Sequence, residues 1–177
     1  MWIGLVGSEM CIRDRNGSTA GLERVVKGQA SASVLHIFCP VEQSWNIDAV
    51  KAACAEKDVV LLHWANRSRG LVMTTSAAEN VSSLSAILPW RLSQRQAGTG
   101  AQILFDHLLA EAGLEKDELD LGVACHTELE AVLTLLEGQA DIAFGLKHFA
   151  AKYNLAFLPL VSESVDILVD RKMVFEP

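Results

Sequence analysis

The segment QRQAGTGAQILFD, residues 94–106, places two glycines and a threonine directly before an apolar run. Gly98 and Gly100 lack a Cβ atom, so the backbone there can approach a ligand closely. Thr99 can cap the helix that follows, and the unpaired N–H groups of the first helical turn carry positive potential. Such a helix start can bind a carboxylate, a phosphate or another oxyanion, with Arg95 adding positive charge. An ordinary capped helix without a ligand is the alternative interpretation.

Nucleotide loops have stricter glycine patterns, and this segment matches neither of two common ones. GTG is not the GxGxxG of a dinucleotide site, and the GK[ST] of a P-loop is missing. The sequence therefore predicts no nucleotide cofactor, and we expect no other cofactor.

Two further segments have hydroxyl side chains at predicted helix starts. In GSTAGL, Ser18 and Thr19 follow a glycine, and in ACHTEL, Thr127 opens a helix after a strand. Three such starts after strand-like segments predict several helix N-termini that face one crevice, beyond the carboxyl ends of parallel strands.

Residues that could perform metal or nucleophilic chemistry lack the required spacing. The five histidines share no ligand spacing, so the sequence predicts no metal site. The hydroxyls of Ser18, Ser93 and Thr99 lie in no GxSxG elbow and beside no obvious base. Glu163 and Asp166 are interpreted as surface or pairing residues rather than as a catalytic dyad. We therefore expect no catalytic residue and no enzymatic activity.

Strand-like and helix-like segments alternate along the chain, which is typical of α/β folds with a largely parallel sheet. Apolar periodicity and caps predict helices over residues 17–27, 47–55, 81–87, 99–112, 127–137 and 147–153. Strands are predicted over residues 33–38, 58–64, 70–75, 90–93, 119–124, 141–144, 155–160 and 165–170.

Composition narrows the class of protein. The 177 residues are half apolar, enough for the core of one globular domain of one or two lobes. The net charge of −7, with no block of Lys or Arg, argues against direct binding of nucleic acid. The longest uncharged apolar run is far short of the roughly 20 residues of a membrane helix. Cys39, Cys54 and Cys125 remain once Cys11, in an N-terminal segment expected to be non-native, is set aside, and their odd count and wide spacing favour a reducing compartment without disulfides.

The N-terminal segment LVGSEMCIRDR, residues 5–15, looks like the in-frame translation of a transposon-type sequencing-library adapter. The alternative is a genuine strand, WIGLV, followed by a charged loop. We expect residues 1–15 to be non-native and the natural sequence to begin near Asn16, so that the native N-terminus is missing. Under this expectation, the absence of a signal peptide gives no information about export.

Four segments stand in a characteristic order: GSTAGLERVVKGQASASVLHI, NRSRGLVM, QRQAGTGAQILFDHLLAEAGL and TELEAVLTLLEGQADIAFGLKHFAAKYNLAFLPLVSESVDILV. Together they resemble the substrate-binding-like domain of the periplasmic-binding-protein superfamily that is related to molybdate-binding proteins. The resemblance covers residues 16–169 and implies a type II fold, in which two α/β lobes hold a ligand between them. It places lobe one at about residues 16–66 and 162–177, and lobe two at about 67–161, in a domain spanning residues 16–177. The family's opening strand would precede Asn16.

The resemblance also implies a set of ligand contacts. Matched by motif, they are Ser18, Thr19, Gly98, Thr99 and Thr127, with Arg95 beside them. Four positions depart from the family pattern: Gln94 replaces Asn, Ala101 a hydroxyl, Gln102 an Arg and Glu128 a His. These changes remove one hydroxyl and one positive charge and add a carboxylate, so they predict a weaker site for an oxyanion such as molybdate.

The functional expectation is a small-ligand sensor, the effector-binding part of a bacterial cytoplasmic regulator. The ligand would be a small oxyanion or polar metabolite that favours one form of the domain and so shifts an attached helix-turn-helix module. DNA would be contacted only through that missing N-terminal module, and a homodimer is a candidate assembly. Two alternatives remain: a periplasmic solute-binding component of a transporter, and an accessory module of molybdopterin (molybdenum cofactor) biosynthesis.

Overall fold

The computed structural model describes residues 17–175, and the adapter-like residues 1–15 lie outside this range. Seven helices are α1 Gly17–Val26, α2 Ile47–Ala53, α3 Thr75–Ala78, α4 Gly100–Glu111, α5 Glu128–Leu136, α6 Lys147–Tyr153 and α7 Arg171–Phe175. Eight strands are β1 Ala32–Leu35, β2 Phe38–Cys39, β3 Ser44–Trp45, β4 Val59–Met73, β5 Arg91–Arg95, β6 Asp120–Cys125, β7 Ile142–Leu146 and β8 Ala156–Asp170. Short 3-10 helices occupy Leu84–Ile87 and Lys116–Glu118. Within residues 17–175, no helix is long and apolar enough to cross a membrane.

The chain divides into two compact units. Unit 1 comprises Met1–Ala65 and Ser164–Pro177, and unit 2 comprises Asn66–Glu163. Strands β4 and β8, of 15 residues each, carry the chain from one unit into the other.

The prediction of two short strands in place of each of β4 and β8 was wrong. The apparent breaks were the polar stretches NRSR and SES, which are typical of loops. In the structure these residues continue the strands, and two of the charged side chains, Arg69 and Glu163, are buried and paired with each other. A polar residue that has a buried partner does not interrupt a strand.

Unit 2 contains a mixed arrangement of strands. β5 pairs in parallel with both β6 and β7, whereas β4 pairs antiparallel with β7, from Arg69↔Leu146 to Met73↔Ile142. The expectation of a largely parallel sheet is therefore correct only for β5, β6 and β7. The full hydrogen-bonded order is β1-β8-β4-β7-β5-β6, a six-stranded mixed sheet in an α/β fold.

The helices of unit 2 are held against the sheet by apolar faces. All five residues of β7 are buried, and α5 packs on this strand through Ala131, Val132 and Leu135. Complete burial of a Val or Leu side chain stabilises the folded state by about 1.5–3 kcal/mol. On α4, Phe105 stacks on Phe144 with ring centroids 4.8 Å apart. These contacts hold α4 and α5 against the sheet.

Unit 1 has a smaller core. β1 pairs antiparallel with β8, and the buried side chains of this core are Leu22, Val25, Leu35, Val50, Cys54 and Leu168. β1 ends at Leu35, earlier than the sequence predicted. The backbone N–H groups of His36 and Ile37 leave the ladder because they donate to the side chains of Ser18 and Asn46.

Two smaller features also differ from the sequence prediction. The helix expected over residues 81–87 is only the 3-10 turn Leu84–Ile87, and α3, capped by Thr74, was missed. Asn46, at the start of α2, makes no side-chain cap hydrogen bond and accepts instead from the Ile37 N–H at 2.6 Å.

We predict that Gly70→Ala destabilises unit 2 through steric conflict. An added Cβ would lie 2.0 Å from the carbonyl oxygen of Leu158 and 2.9 Å from the backbone nitrogen of Leu160, both on β8. Overpacking a core costs about 1–3 kcal/mol of unfolding free energy, and we expect Gly70→Ala to cost at least the upper end of this range in urea unfolding. Gly138→Ala is the matched control, because φ is +69° there and a Cβ meets no described atom within 4 Å. Its cost should be about 1 kcal/mol, from backbone strain alone. A smaller loss for Gly70→Ala than for the control would contradict this account.

Candidate functional site

One edge of unit 2 gathers the starts of three helices. Because β5, β6 and β7 are parallel, their carboxyl ends meet at the same edge of the sheet. α4, α5 and α6 begin just beyond these ends. Arg95 Nη2 donates to the carbonyl oxygen of His126 at 2.9 Å, and the Gln96 N–H donates to that of Cys125 at 3.2 Å. The loops that precede α4 and α5 are therefore in direct contact.

The start of α4 combines three of the residues expected from sequence. Gly98 has a φ of +82°, which only glycine adopts readily. Thr99 is the N-cap: its Oγ1 accepts from the Gln102 N–H at 3.4 Å and donates to the Gln96 carbonyl at 2.9 Å. The Nε of Arg95 is buried and has no hydrogen-bond partner within residues 17–175. The first turn of α4 contains no acidic residue, so its positive end is not neutralised locally.

Gln102, which stands where the family has Arg, has a structural role here. The side chain is buried, its Oε1 accepts from the Arg95 N–H at 2.8 Å, and its Nε2 donates to Asp106 at 2.8 Å. It therefore holds the loop before α4 against the helix.

The start of α5 differs, because carboxylates of the chain itself occupy it. Thr127 caps this helix and accepts from the Glu130 N–H at 3.1 Å. The Glu130 carboxylate accepts from the His126 N–H at 2.8 Å, and this bond lowers the pKa of Glu130 below its usual range. Glu128 adds a second carboxylate to the same turn. An anionic ligand is less favoured at α5 than at α4.

A buried ion-pair network lies beside α5, and sequence reasoning missed it. Arg69 is 1% exposed; its Nη1 lies 2.6 Å from Glu128 Oε1, and its Nη2 lies 3.1 Å from Glu163 Oε2. Burial alone would lower the pKa of Arg69, but the two carboxylates outweigh this effect and raise it. Arg67 Nη2 also lies 3.1 Å from Glu163 Oε2. The sequence left Glu163 as either a surface residue or a pairing residue, and in the structure it is a buried pairing residue. Arg67 and Arg69 stand two residues apart in the sequence, but nothing in the sequence pointed to their partners on β8 and α5.

The two remaining expected residues lie in unit 1. Ser18 is buried, and its Oγ lies 2.8 Å from His36 Nδ1 and accepts from the His36 N–H at 3.0 Å. Thr19 is exposed on the first turn of α1. The structure thus brings together Arg95, Gly98, Thr99 and Thr127 within unit 2, and places Ser18 and Thr19 in unit 1.

Unit 1 also contains a polar cluster around Asp166. Its buried carboxylate accepts from Asn46 Nδ2 at 2.6 Å and lies 2.9 Å from His63 Nδ1. Asp166 is thus a pairing residue, as expected. Across residues 17–175, no group of three His, Cys, Asp or Glu side chains is placed to hold a metal ion.

We predict that Arg69→Met is strongly destabilising, because it leaves Glu163, 3% exposed, without its main partner. Breaking a buried ion pair from one side costs about 3–5 kcal/mol, which urea unfolding would measure. The double variant Arg69→Met/Glu163→Leu should recover part of this loss. Arg91→Gln is the control: Arg91 is 54% exposed and 4.0 Å from Asp120, so its loss should be below about 1 kcal/mol. Equal losses for Arg69→Met and Arg91→Gln would contradict the interpretation.

A pH-dependent contribution of Glu130 follows from its lowered pKa. A carboxylate whose pKa is lower in the folded state stabilises the fold above its unfolded pKa, about 4.3, and this stabilisation is lost as the pH falls through the folded value. Wild type should therefore unfold at higher urea than Glu130→Gln at neutral pH, and the difference should shrink below about pH 4. Glu137→Gln, at the negative C-terminal cap of α5, is the control and should cost nothing at neutral pH. A difference that is independent of pH would disprove the assignment.

Comparisons with known proteins agree with this architecture. Residues 12–177 match the model of a family described as a PBP superfamily domain. The uncharacterized protein YvgK of Bacillus subtilis (strain 168) is 26% identical over 167 residues, which are 93% of this chain and 54% of YvgK. The chain therefore spans about half the length of that curated relative.

Two solved structures show the same fold at low identity. One is the effector-binding domain of QuiR in complex with shikimate, with a TM-score of 0.63 and 15% identity over 88% of this chain and 69% of that one. The other is the glycine betaine and L-proline-binding protein ProX of Borrelia burgdorferi, with a TM-score of 0.63 and 15% identity over 90% of this chain and 64% of that one. The resemblance and type II fold expected from sequence are confirmed: the chain belongs to the PBP (periplasmic-binding-protein) superfamily.

Proposed function

We propose that this chain is a non-enzymatic domain that binds a small polar or anionic ligand and serves as the effector-sensing part of a bacterial transcriptional regulator. The observation that carries this proposal is the start of α4, where a threonine cap, a glycine with positive φ and Arg95 meet without a neutralising carboxylate. The fold it shares with QuiR, whose effector-binding domain was solved with shikimate, supports a sensing role.

The ligand contacts proposed in unit 2 are Arg95, Gly98, Thr99 and Thr127. The first-turn N–H groups of α4 and the guanidinium of Arg95 would donate to an oxyanion or a carboxylate. Thr127 Oγ1 accepts from the Glu130 N–H, and its hydroxyl also donates to the Glu130 carboxylate, so a ligand at Thr127 would replace that carboxylate as the acceptor. Ser18 and Thr19 are the proposed contacts from unit 1. Molybdate is a less favoured ligand, because Glu128 and Glu130 neutralise the start of α5.

The proposed mechanism is a population shift. A ligand would bind one arrangement of the domain more tightly than another and increase its population. The shift cannot exceed the ligand's difference in affinity for the two arrangements. In the regulator, an attached helix-turn-helix module in the cytoplasm would respond to it, and that module alone would contact DNA.

A solute-binding component of a transporter is a second candidate, favoured by the shared fold with ProX. In that case the protein would work in the periplasm and pass its ligand to a membrane partner. The complete reading frame distinguishes the two, since a helix-turn-helix region indicates a regulator and a signal peptide indicates transport.

We predict that small carboxylates or oxyanions raise the melting temperature of the protein. A ligand at 100 times its Kd stabilises the fold by about 2.7 kcal/mol, and Thr99→Ala should reduce this shift. Thr74→Ala is the matched control, because Thr74 caps α3 by accepting from Ala77 at the same 3.4 Å that separates Thr99 from Gln102. Both variants should lose about 1 kcal/mol as caps, but only Thr99→Ala should weaken binding.

The outcomes of this thermal-shift panel separate function from site. A panel of acetate, shikimate, glycine betaine, sulfate and molybdate that gives no shift would contradict ligand binding. A shift that is the same in the Thr99 and Thr74 variants would contradict only the assignment of the site to α4.

A further inference from the structure

We infer that Arg67 binds the carboxylate group of a small monocarboxylate ligand. The inference rests on the proposed function, ligand binding by unit 2, and adds the ligand class and a residue outside the expected contact set. Four side chains carry it, which we call the guanidinium–carboxylate cluster: Arg67, Arg69, Glu128 and Glu163.

The inner members of the cluster satisfy one another. Arg69 is fully buried and lies between Glu128 and Glu163, with N–O distances of 2.6 Å and 3.1 Å. Glu163, 3% exposed, also accepts a hydrogen bond from Arg69 Nε at 3.1 Å, so its carboxylate is already paired with a buried guanidinium. These groups have no capacity to recognise a ligand without losing a buried ion pair.

Arg67 is the outer end of the cluster and has unused donors. Its Nη2 lies 3.1 Å from Glu163 Oε2, on a carboxylate shared with Arg69, but without the alignment of a hydrogen bond. Its Nε is shielded from solvent and has no hydrogen-bond partner in the described part of the chain. A guanidinium has five N–H donors, and buried donors without acceptors are unfavourable. The rest of the side chain is exposed, 33% overall, so an incoming acceptor can approach the guanidinium and would reach the shielded donors once the side chain reorients.

The cluster adjoins the loop residues proposed as ligand contacts. Arg69 pairs with Leu146 in the sheet, which places it at the carboxyl end of β7. Arg67 is two residues away on the same strand, so its side chain lies on the same face. Arg69 contacts Glu128, the first residue of α5. Two residues before Glu128, the carbonyl oxygen of His126 accepts a hydrogen bond from Arg95. Arg67 and Arg95 are thereby linked through the start of α5.

The charges of this edge favour a single negative charge on the ligand. Arg67, Arg69, Arg95 and Lys147, the first residue of α6, face Glu128, Glu130 and Glu163, so the edge carries a surplus of one positive charge. A tetrahedral dianion would be only half compensated by this surplus and would meet three carboxylates. A planar monocarboxylate matches the fork of a guanidinium and needs only one charge compensated.

The test is a titration of the chain followed by NMR of the arginine Nε–Hε resonances. Acetate and benzoate are the monocarboxylate probes, sulfate and molybdate are the dianion probes, and ionic strength is held constant. We expect the monocarboxylates to shift the Arg67 resonance saturably and more tightly than either dianion. Arg67→Gln should weaken this binding by at least about tenfold, the effect of losing one charge-assisted contact.

Two further variants control the titration. Arg67→Lys keeps the positive charge beside Glu163 but lacks the planar fork, so it should bind monocarboxylates more weakly than wild type. Should Arg67→Gln fail to fold, Arg67→Lys provides the same comparison. Arg91→Gln makes the same charge change at the opposite end of β5 and should bind as wild type does.

The outcomes are distinct. Monocarboxylate binding that is unchanged in Arg67→Gln and Arg67→Lys overturns the inference and leaves the proposed function intact. Tighter binding of sulfate or molybdate at Arg67 overturns the ligand class. No saturable binding of any probe, at Arg67 or at the loop before α4, contradicts the inference and the proposed function together.

Discussion

The buried charge of Arg69 constrains unit 2 more than any other single group. A guanidinium with 1% exposure is tolerated only with partners, and removing it from water without them would cost several kcal/mol. Its partners come from the start of α5 and from β8, so three elements far apart in sequence are fixed together. The strand that carries Arg69 continues through this polar stretch because its charges are compensated there.

This constraint makes the two helix starts at the sheet edge different. In the first turn of α5, Glu128 forms an ion pair with Arg69, and Glu130 accepts a hydrogen bond from the His126 N–H. These two carboxylates compensate the positive end of the helix. α4 has no acidic residue in its first turn, and Arg95 stands beside it. The positive end of α4 is therefore left without a local carboxylate, whereas the chain's own carboxylates compensate that of α5.

Much of the local structure could be predicted from the sequence. α6 coincides with the predicted helix 147–153, and α4 and α5 begin at the predicted threonine caps, Thr99 and Thr127. Caps and apolar periodicity act over a few residues, so they are visible in any short window. The order of four such segments also sufficed to identify the superfamily. Of the candidate site, the α4 loop and its cap were predictable, whereas the ion-pair cluster beside it was not.

The sequence by itself determined where α1, α2, α4, α5 and α6 begin, that threonines cap α4 and α5, and to which superfamily the chain belongs. The tertiary structure alone decided that β4 and β8 continue through polar stretches, that β4 runs antiparallel to β7, and that Arg69 and Glu163 are buried together. Arg69 and Glu163 are 94 positions apart, and such a pair leaves no local pattern. From sequence alone, a charged residue predicts an exposed loop. It can be buried in a strand only when an opposite charge lies beside it, and the sequence does not reveal that partner.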